Sequence, residues 1–170
     1  MSTVAVVQIG ESFVGSGANA AHVNTVLGTR AGPVGAAFAT ALATPTHGHA
    51  PFVAVVRPGL PAKPVTLFVN KAEVRGDGHA RLTWGPAQAG VAGGVVDAVS
   101  EGAIPRGQVD ELVLIAAVWV DWDADDGDEV YGNNRAATLG ALRAGSRHEP
   151  TLDEVIAAGA SPWNPFFRAG

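Results

Sequence analysis

Three polar residues stand at positions where a plain folded domain has little need of them. His22 lies in an otherwise apolar strand pattern, Lys71 lies inside a second strand pattern, and Gln88 follows a Gly-Pro turn at the entrance to a helix. An imidazole titrates near neutral pH and can supply a proton and recover it. Each residue also has a structural explanation, namely a hydrogen-bonded core histidine, a lysine at a sheet edge and an exposed glutamine. Alone, none of them identifies a reaction.

Two longer patterns imitate known binding motifs and fail in detail. Residues 15–20 follow a predicted strand and resemble a dinucleotide fingerprint, but residues 36–43 contain no carboxylate where one is required. The acidic run 121–129 resembles a calcium loop, but the sixth position is Asp126 instead of glycine and the twelfth is Gly132 instead of glutamate. We therefore expect a plain loop and a solvated acidic turn.

Metal and nucleophile motifs give no stronger signal. His47 and His49 could donate two metal ligands, but nothing nearby supplies a third at metal-site spacing. The chain has no cysteine, which excludes thiolate metal sites, disulfides and cysteine nucleophiles. It also lacks the Gly-x-Ser-x-Gly motif of serine hydrolases and a phosphate-binding loop. We predict no metal site.

Composition sets the class of protein. A chain of 170 residues with 47% apolar and 16% charged residues is typical of one folded domain. The net charge of −5 gives no reason to expect nucleic acid. The small charged fraction favours an oligomer that buries surface between copies. No basic leader and no apolar run of about 18 residues is present, so we expect a cytoplasmic protein without a membrane span.

The apolar patterns predict about five strands. The predicted strands are residues 4–9, ended by Gly10; 21–27, ended by Gly28; 52–56; 65–74; and a buried central strand at 112–120. In the fourth of these, Lys71 and Glu73 would share one face of the strand.

Four helices are predicted between and after these strands. Pro33 starts the first at its initial position, and a stripe of valines four residues apart indicates another over 87–100. The others are residues 136–144 and a helix that begins with a capping box at Thr151. Trp84-Gly85-Pro86 should break the chain, and the tail 159–170 should be irregular. Together the elements predict a single α+β domain over residues 1–170.

Several segments of the chain resemble the formaldehyde-activating enzyme family, in the family's order and at its spacing. The resemblance is carried by residues 8–15, 21–23, 58–64, 66–71, 84–92, 96–105 and 164–166. It covers essentially the whole chain. Strings such as Pro86-Ala87-Gln88-Ala89-Gly90 have no general structural reason to recur with the others, so the resemblance is specific.

The resemblance implies a fold, an assembly and a reaction. The fold is a two-layer α+β sandwich related to a ribosomal-protein domain and to GHMP kinases, with a left-handed βαβ crossover. The assembly is a homopentamer with pterin sites between neighbouring subunits. The reaction is that of a hydro-lyase, a carbon–oxygen lyase, in which formaldehyde and tetrahydromethanopterin give the methylene derivative and water. No metal and no permanently bound cofactor is implied, since the reduced pterin is a co-substrate.

The resemblance also assigns residues. His22 falls on the position of the catalytic acid, which would protonate the hydroxyl of the carbinolamine as it leaves. Lys71, Gln88 and Val53 fall on pterin-binding positions. A Schiff base between Lys71 and formaldehyde ranks lower as a mechanism, because nothing in the sequence marks a desolvated lysine.

Two presumed pterin contacts depart from the family. Asn24 replaces an aspartate and can still hydrogen-bond a pterin edge, but it cannot stabilise a protonated His22 by charge. Glu73 replaces a threonine and adds a negative charge. These changes leave three readings open: the pterin enzyme, an enzyme for another amine such as tetrahydrofolate, or a non-catalytic protein that binds formaldehyde or a pterin.

Overall fold

A five-stranded mixed sheet forms the centre of the computed structural model, which describes residues 7–168. The strands, including those of two small hairpins, are β1 (Val7–Val14), β2 (Ala21–Thr29), β3 (Phe52–Val53), β4 (Val55–Arg57), β5 (Leu60–Pro61), β6 (Val65–Asn70), β7 (Leu112–Trp119), β8 (Trp163–Asn164) and β9 (Phe167–Arg168). The sheet order is β1-β2-β7-β6-β3. Only the β6–β7 pair is parallel, and the other pairs are antiparallel.

Five α-helices accompany the sheet in the described part of the chain. They are α1 (Pro33–Ala43), α2 (Gly76–Leu82), α3 (Gln88–Ser100), α4 (Gly127–Arg147) and α5 (Leu152–Ala158). Helix α4 packs against α3 and against β1 and β2, while α1 contacts β2 and β7. Within residues 7–168, no helix combines the length and the apolar character that crossing a membrane requires.

The main core lies between the sheet and the pair α3–α4. Val23 on β2 and Val118 on β7 are fully buried there against Val91 of α3 and Ala137 of α4. Successive strand residues point to opposite faces of a sheet. His22, the neighbour of Val23, therefore lies on the opposite face, which we call the outer face. The outer face is the one that is available for a site.

The predicted strands agree with the structure in position and differ at their ends. The central strand is confirmed as β7, and β2 continues past Gly28 to Thr29. Residues 4–6 of the first predicted strand lie outside the described part. The prediction that Gly10 ends that strand is wrong, since β1 runs on to Val14. The physical reason is packing, because a Cβ at Gly10 would lie 1.8 Å from the carbonyl oxygen of Ala141 in α4.

The predicted strand 65–74 is too long and the predicted strand 52–56 is divided. β6 ends at Asn70, whose side-chain amide donates to the carbonyls of Gly48 and Ala72 and so fixes a turn there. Lys71 and Glu73 therefore do not lie on a strand. In the other segment, the N–H of Ala54 donates to β6 and its carbonyl accepts from Ala62. The chain thus changes partners at this residue.

The four predicted helices lie in the right places, but α2 was not predicted, and one predicted break is wrong. Trp84-Gly85-Pro86 does not break the chain, because residues 83–87 form a π-helical turn that joins α2 to α3. The predicted helix 136–144 is the middle of the much longer α4, and the capping box at Thr151 is confirmed. The tail, expected to be irregular, contains the two-residue ladder of β8 and β9.

Close contact between α3 and α4 explains the glycines of α3. A Cβ at Gly90 would lie 2.5 Å from the carbonyl oxygen of Tyr131, and one at Gly94 would lie 2.6 Å from that of Arg135. The Arg135 guanidinium also makes two hydrogen bonds, of 2.7 and 2.8 Å, to Asp97 of α3. This pairing lowers the pKa of the Asp97 carboxyl. The two helices are therefore held at backbone contact.

Replacing Gly94 with alanine tests this contact. The added methyl group meets backbone and has no room, so we expect a loss of about 1–3 kcal/mol in the free energy of unfolding. The matched change Gly132→Ala places the same group on α4 with no atom within 4 Å, and should stabilise by up to about 1 kcal/mol through helix propensity. Urea denaturation measures both. Equal effects of the two changes would contradict the packing argument.

Candidate active site

A cluster of polar side chains occupies the outer face where β1, β2 and the end of β6 meet. In the register of β1 and β2, Phe13 is opposite His22 and Glu11 is opposite Asn24. Lys71 follows β6, and its backbone N–H still donates to the carbonyl of Val118 at 2.8 Å. Three elements distant in sequence thus deliver one histidine, one lysine, one carboxylate and one amide to the same place.

Short contacts join the side chains of this cluster in a chain. The His22 Nε2 atom lies 2.9 Å from a carboxylate oxygen of Glu11. The Lys71 Nζ atom lies 3.2 Å from His22 Nδ1 and donates to Asn24 Oδ1 at 2.7 Å. Both ring nitrogens of His22 are therefore occupied, one by an acceptor and the other by an amine.

This arrangement defines where protons can be. Glu11 accepts, so His22 Nε2 carries a proton. Lys71 and His22 Nδ1 then share one further proton, since two N–H groups facing each other would repel. Either the amine is an ammonium and the imidazole is neutral, or the imidazole is charged and the amine is neutral. The pair can therefore act as an acid beside a free amine.

Burial changes the pKa of Lys71. The half-buried position of Lys71 lowers the pKa of its ammonium group, because desolvation disfavours the charged form, and the Glu11 carboxylate opposes this effect. Asn24, the nearest side-chain acceptor, carries no charge that would oppose it further. The structure thus shows the desolvated lysine that the sequence alone does not mark.

Aromatic rings border the cluster. The Phe13 ring centroid lies 6.1 Å from that of His22. On the other side, Trp119 is the register partner of His22 on β7, and its ring meets that of Trp122 at 5.8 Å. Flat apolar walls beside polar groups are typical of sites for small organic ligands.

A second feature is an open groove with a volume of about 420 Å³ beside β3 and the start of α3. Its lining residues are Ala50, Pro51, Phe52, Val53, Val55, Trp84 and Gln88. The Gln88 side chain is 8% exposed, and its carbonyl oxygen accepts from the N–H of Val55. This contact fixes the orientation of the amide.

The predicted site residues thus fall into three groups. His22 and Asn24 both contact Lys71, whereas Val53 and Gln88 line the groove. By register, Val53 pairs with Leu67 and Leu67 with Ile115, so Val53 lies on the same outer face as the cluster, at the β3 edge.

Glu73 forms the third group, because its side chain contacts neither the cluster nor the lining of the groove but two other basic groups. Its carboxylate lies 3.6 Å from His47 Nε2 and 3.6 Å from Arg75, and its backbone carbonyl accepts from the Trp122 indole. The expectation that Glu73 shares a strand face with Lys71 is therefore wrong, because β6 ends before both residues. Its role as a pterin contact stays a prediction.

Sequence reasoning missed Glu11. This residue lies inside the segment 8–15 that carries the family resemblance, but an alternating strand gives no sign of which polar residue faces a partner. The available signal was the pairing of β1 with β2, which places Glu11 opposite Asn24 on the face of His22. That register is visible only in the structure.

Comparison with known proteins identifies the family of the chain. A model of the formaldehyde-activating enzyme family matches residues 9–167, and the chain therefore belongs to this family of enzymes. It is 42% identical over 158 residues to 5,6,7,8-tetrahydromethanopterin hydro-lyase from Methanosarcina barkeri, which covers 93% of this chain and 89% of that protein. It is also 41% identical over 159 residues to the bifunctional enzyme Fae/Hps from Archaeoglobus fulgidus, of which it covers 40%.

The surroundings of Lys71 can be tested by titration. We expect the midpoint for Lys71 to lie below the ordinary lysine value, because burial disfavours the ammonium ion. Asn24→Asp places a carboxylate on the same amine and should raise the midpoint. NMR of protein with isotope-labelled lysine measures both, and Lys71→Arg assigns the signals because the chain has only two lysines. A midpoint that is the same in the Asn24→Asp variant would contradict the contact between Asn24 and Lys71.

Proposed function

We propose that this protein condenses formaldehyde with tetrahydromethanopterin, or with a related reduced pterin, to give the methylene derivative and water. The observation that carries the proposal is the contact of Glu11, His22 and Lys71 on the outer face. Family membership supports the same reaction. So does a relative named as a tetrahydromethanopterin hydro-lyase, because the alignment with this chain covers 89% of that protein.

His22 is the general acid in this proposal. Formaldehyde and a secondary amine form a carbinolamine unaided, and loss of the hydroxyl group as water is the step that needs a proton. The imidazole supplies that proton, and the contact of Glu11 with Nε2 orients the ring. Such a positioned acid contributes on the order of 10²–10⁴ in rate. Ring closure by the second nitrogen then returns a proton to His22.

The remaining residues bind the pterin. Val53 and the fixed amide of Gln88 offer an apolar wall and a hydrogen-bonding group along the groove. Asn24 and Lys71 present polar groups at the reacting end, and Glu73 would contact the pterin beyond it. In this scheme the pterin is a co-substrate, and we propose that neither a metal nor a permanently bound cofactor takes part.

Asn24 favours a second candidate function. Its amide accepts from Lys71 where the family resemblance implies a carboxylate, so the charge presented to the acceptor amine differs. The same acid can then serve another amine acceptor, such as tetrahydrofolate, or the protein can bind formaldehyde or a pterin without turnover. Condensation rates measured with tetrahydromethanopterin and with tetrahydrofolate separate these candidates from the first proposal.

Replacing His22 with alanine tests the acid. We expect methylene-pterin formation from formaldehyde and tetrahydromethanopterin to fall by on the order of 10²–10⁴, with little change in pterin affinity. Stopped-flow absorbance measures the rate above the uncatalysed reaction. His148→Asn is the matched control, since this histidine ends α4 with a positive φ that asparagine tolerates. An unchanged rate in the His22 variant would refute the assignment.

We also propose that the protein is a homopentamer with sites between subunits. On the outer face next to the cluster, Ile9 is 67% and Phe13 is 42% exposed. The C-terminal segment 151–168 exposes six further large apolar side chains: Leu152, Val155, Ile156, Trp163, Phe166 and Phe167. Apolar surfaces of this kind usually mark an interface. The polar cluster lies at the border of such a surface.

Charge placed on the outer face tests the assembly. We expect Ile9→Glu to dissociate the oligomer and to slow condensation, because the carboxylate would be buried between subunits. Val96→Glu introduces the same charge on the exposed side of α3, away from the outer face, and should leave the oligomer intact. Analytical ultracentrifugation with circular dichroism measures assembly and folding. A wild-type monomer that is fully active would overturn the proposal.

For the fold we propose the superfold that the resemblance implies. The parallel pair β6–β7, joined through α2 and α3, is the place where its left-handed crossover would lie.

A further inference from the structure

The two lysines of the chain have opposite surroundings. Lys63 is 60% exposed, and its amine lies 2.6 Å from the carboxylate of Asp110. Lys71 is half-buried, and its amine contacts a neutral amide and an imidazole. Within residues 7–168, no carboxylate oxygen forms an ion pair with the Lys71 amine. The amine of Lys63 is therefore paired with a carboxylate, and the amine of Lys71 is not.

Chemically, the Lys71 position is that of a nucleophile. A lysine amine attacks a carbonyl carbon only in its neutral form, and desolvation is a common way to raise that fraction. Burial lowers the pKa of Lys71 in this direction. His22 Nδ1, 3.2 Å away, is close enough to take the proton from the ammonium and to return it to a leaving oxygen. An amine beside an acid is the arrangement needed to form an iminium ion.

We propose that Lys71 captures formaldehyde covalently, first as a carbinolamine and then as an iminium ion, before the one-carbon unit passes to the acceptor amine. This inference keeps the overall reaction of the proposed function and rests on it for the final transfer. It moves the loss of water, with His22 as the acid, from the carbinolamine of the pterin to the carbinolamine of Lys71. Lys71 is then a catalytic residue, since its nitrogen is bonded to the reacting carbon.

The steps balance in atoms and charge. The lone pair of Lys71 Nζ attacks the formaldehyde carbon, and one amine proton moves to the former carbonyl oxygen, which gives the neutral carbinolamine. Protonated His22 then donates a proton to that hydroxyl, the C–O bond breaks, and water leaves as the nitrogen forms the C=N bond. The products are an iminium ion on Lys71, water and neutral His22.

Transfer regenerates the amine. The acceptor amine attacks the iminium carbon, the bond to Nζ breaks as the acceptor's proton moves to Nζ, and an acceptor iminium forms. Its second nitrogen closes the ring and releases a proton to His22. The sum is formaldehyde plus acceptor giving methylene acceptor plus water, with no oxidant or reductant.

Glu11 is a positioning residue in this scheme. By accepting from Nε2, it turns the other nitrogen of His22 towards Lys71. We expect Glu11→Gln to slow capture by Lys71 and Glu11→Asp to restore part of it. A role limited to folding would not produce this difference between variants.

The experiment is reductive trapping on the wild-type protein. The full-length chain is exposed briefly to limiting isotope-labelled formaldehyde with cyanoborohydride near neutral pH, and methylated lysines are located by peptide mass spectrometry. We expect Lys71 to be methylated before Lys63, which serves as the internal reference. His22→Ala should slow methylation of Lys71 by on the order of 10² while leaving Lys63 unchanged.

Each outcome decides a specific point. Equal or slower labelling of Lys71 relative to Lys63 overturns the inference, as does a Lys71→Arg variant that condenses formaldehyde and pterin at the full rate. Selective labelling of Lys71 in a protein that does not accelerate condensation would support capture by Lys71 and refute the proposed function. Catalysis without selective labelling would refute the capture site alone.

Discussion

The register between β1 and β2 is the constraint on which the site depends. It places Glu11 and Phe13 opposite Asn24 and His22, so that Glu11, His22 and Asn24 all lie on the outer face. A shift of one residue would turn Glu11 towards α4 and separate the carboxylate from the imidazole. Gly10 holds this register against slipping, because only a residue without a Cβ fits beneath the α4 backbone at that point.

The helices determine which face remains free for chemistry. The pair α3–α4 is packed at backbone distance through glycines and covers one side of the sheet with a mainly apolar core. His22 and Asn24 of β2 lie on the other side, where Lys71 meets them across β7. A rigid layer behind the sheet keeps the distances between these groups fixed, which acid–base chemistry requires.

The sequence predicted where the elements lie better than where they end. The apolar run of β7 and the capping box of α5 are local signals, and both appear as predicted. The ends of β1 and β6 depend on contacts with α4 and with residue 48, which no local pattern reveals. The same limit applies to the site. His22, Lys71 and Gln88 were singled out by their placement and given roles by the resemblance, whereas Glu11 needed the strand pairing.

The different surroundings of the two lysines matter for a protein whose substrate is an aldehyde. Thiols and primary amines are the side chains that add readily to aldehydes, and this chain has no cysteine and only two lysines against nine arginines. The amine of Lys63 is engaged in an ion pair with Asp110. A surface so poor in nucleophiles resists crosslinking by its own reactant, which would otherwise inactivate the protein as it accumulates.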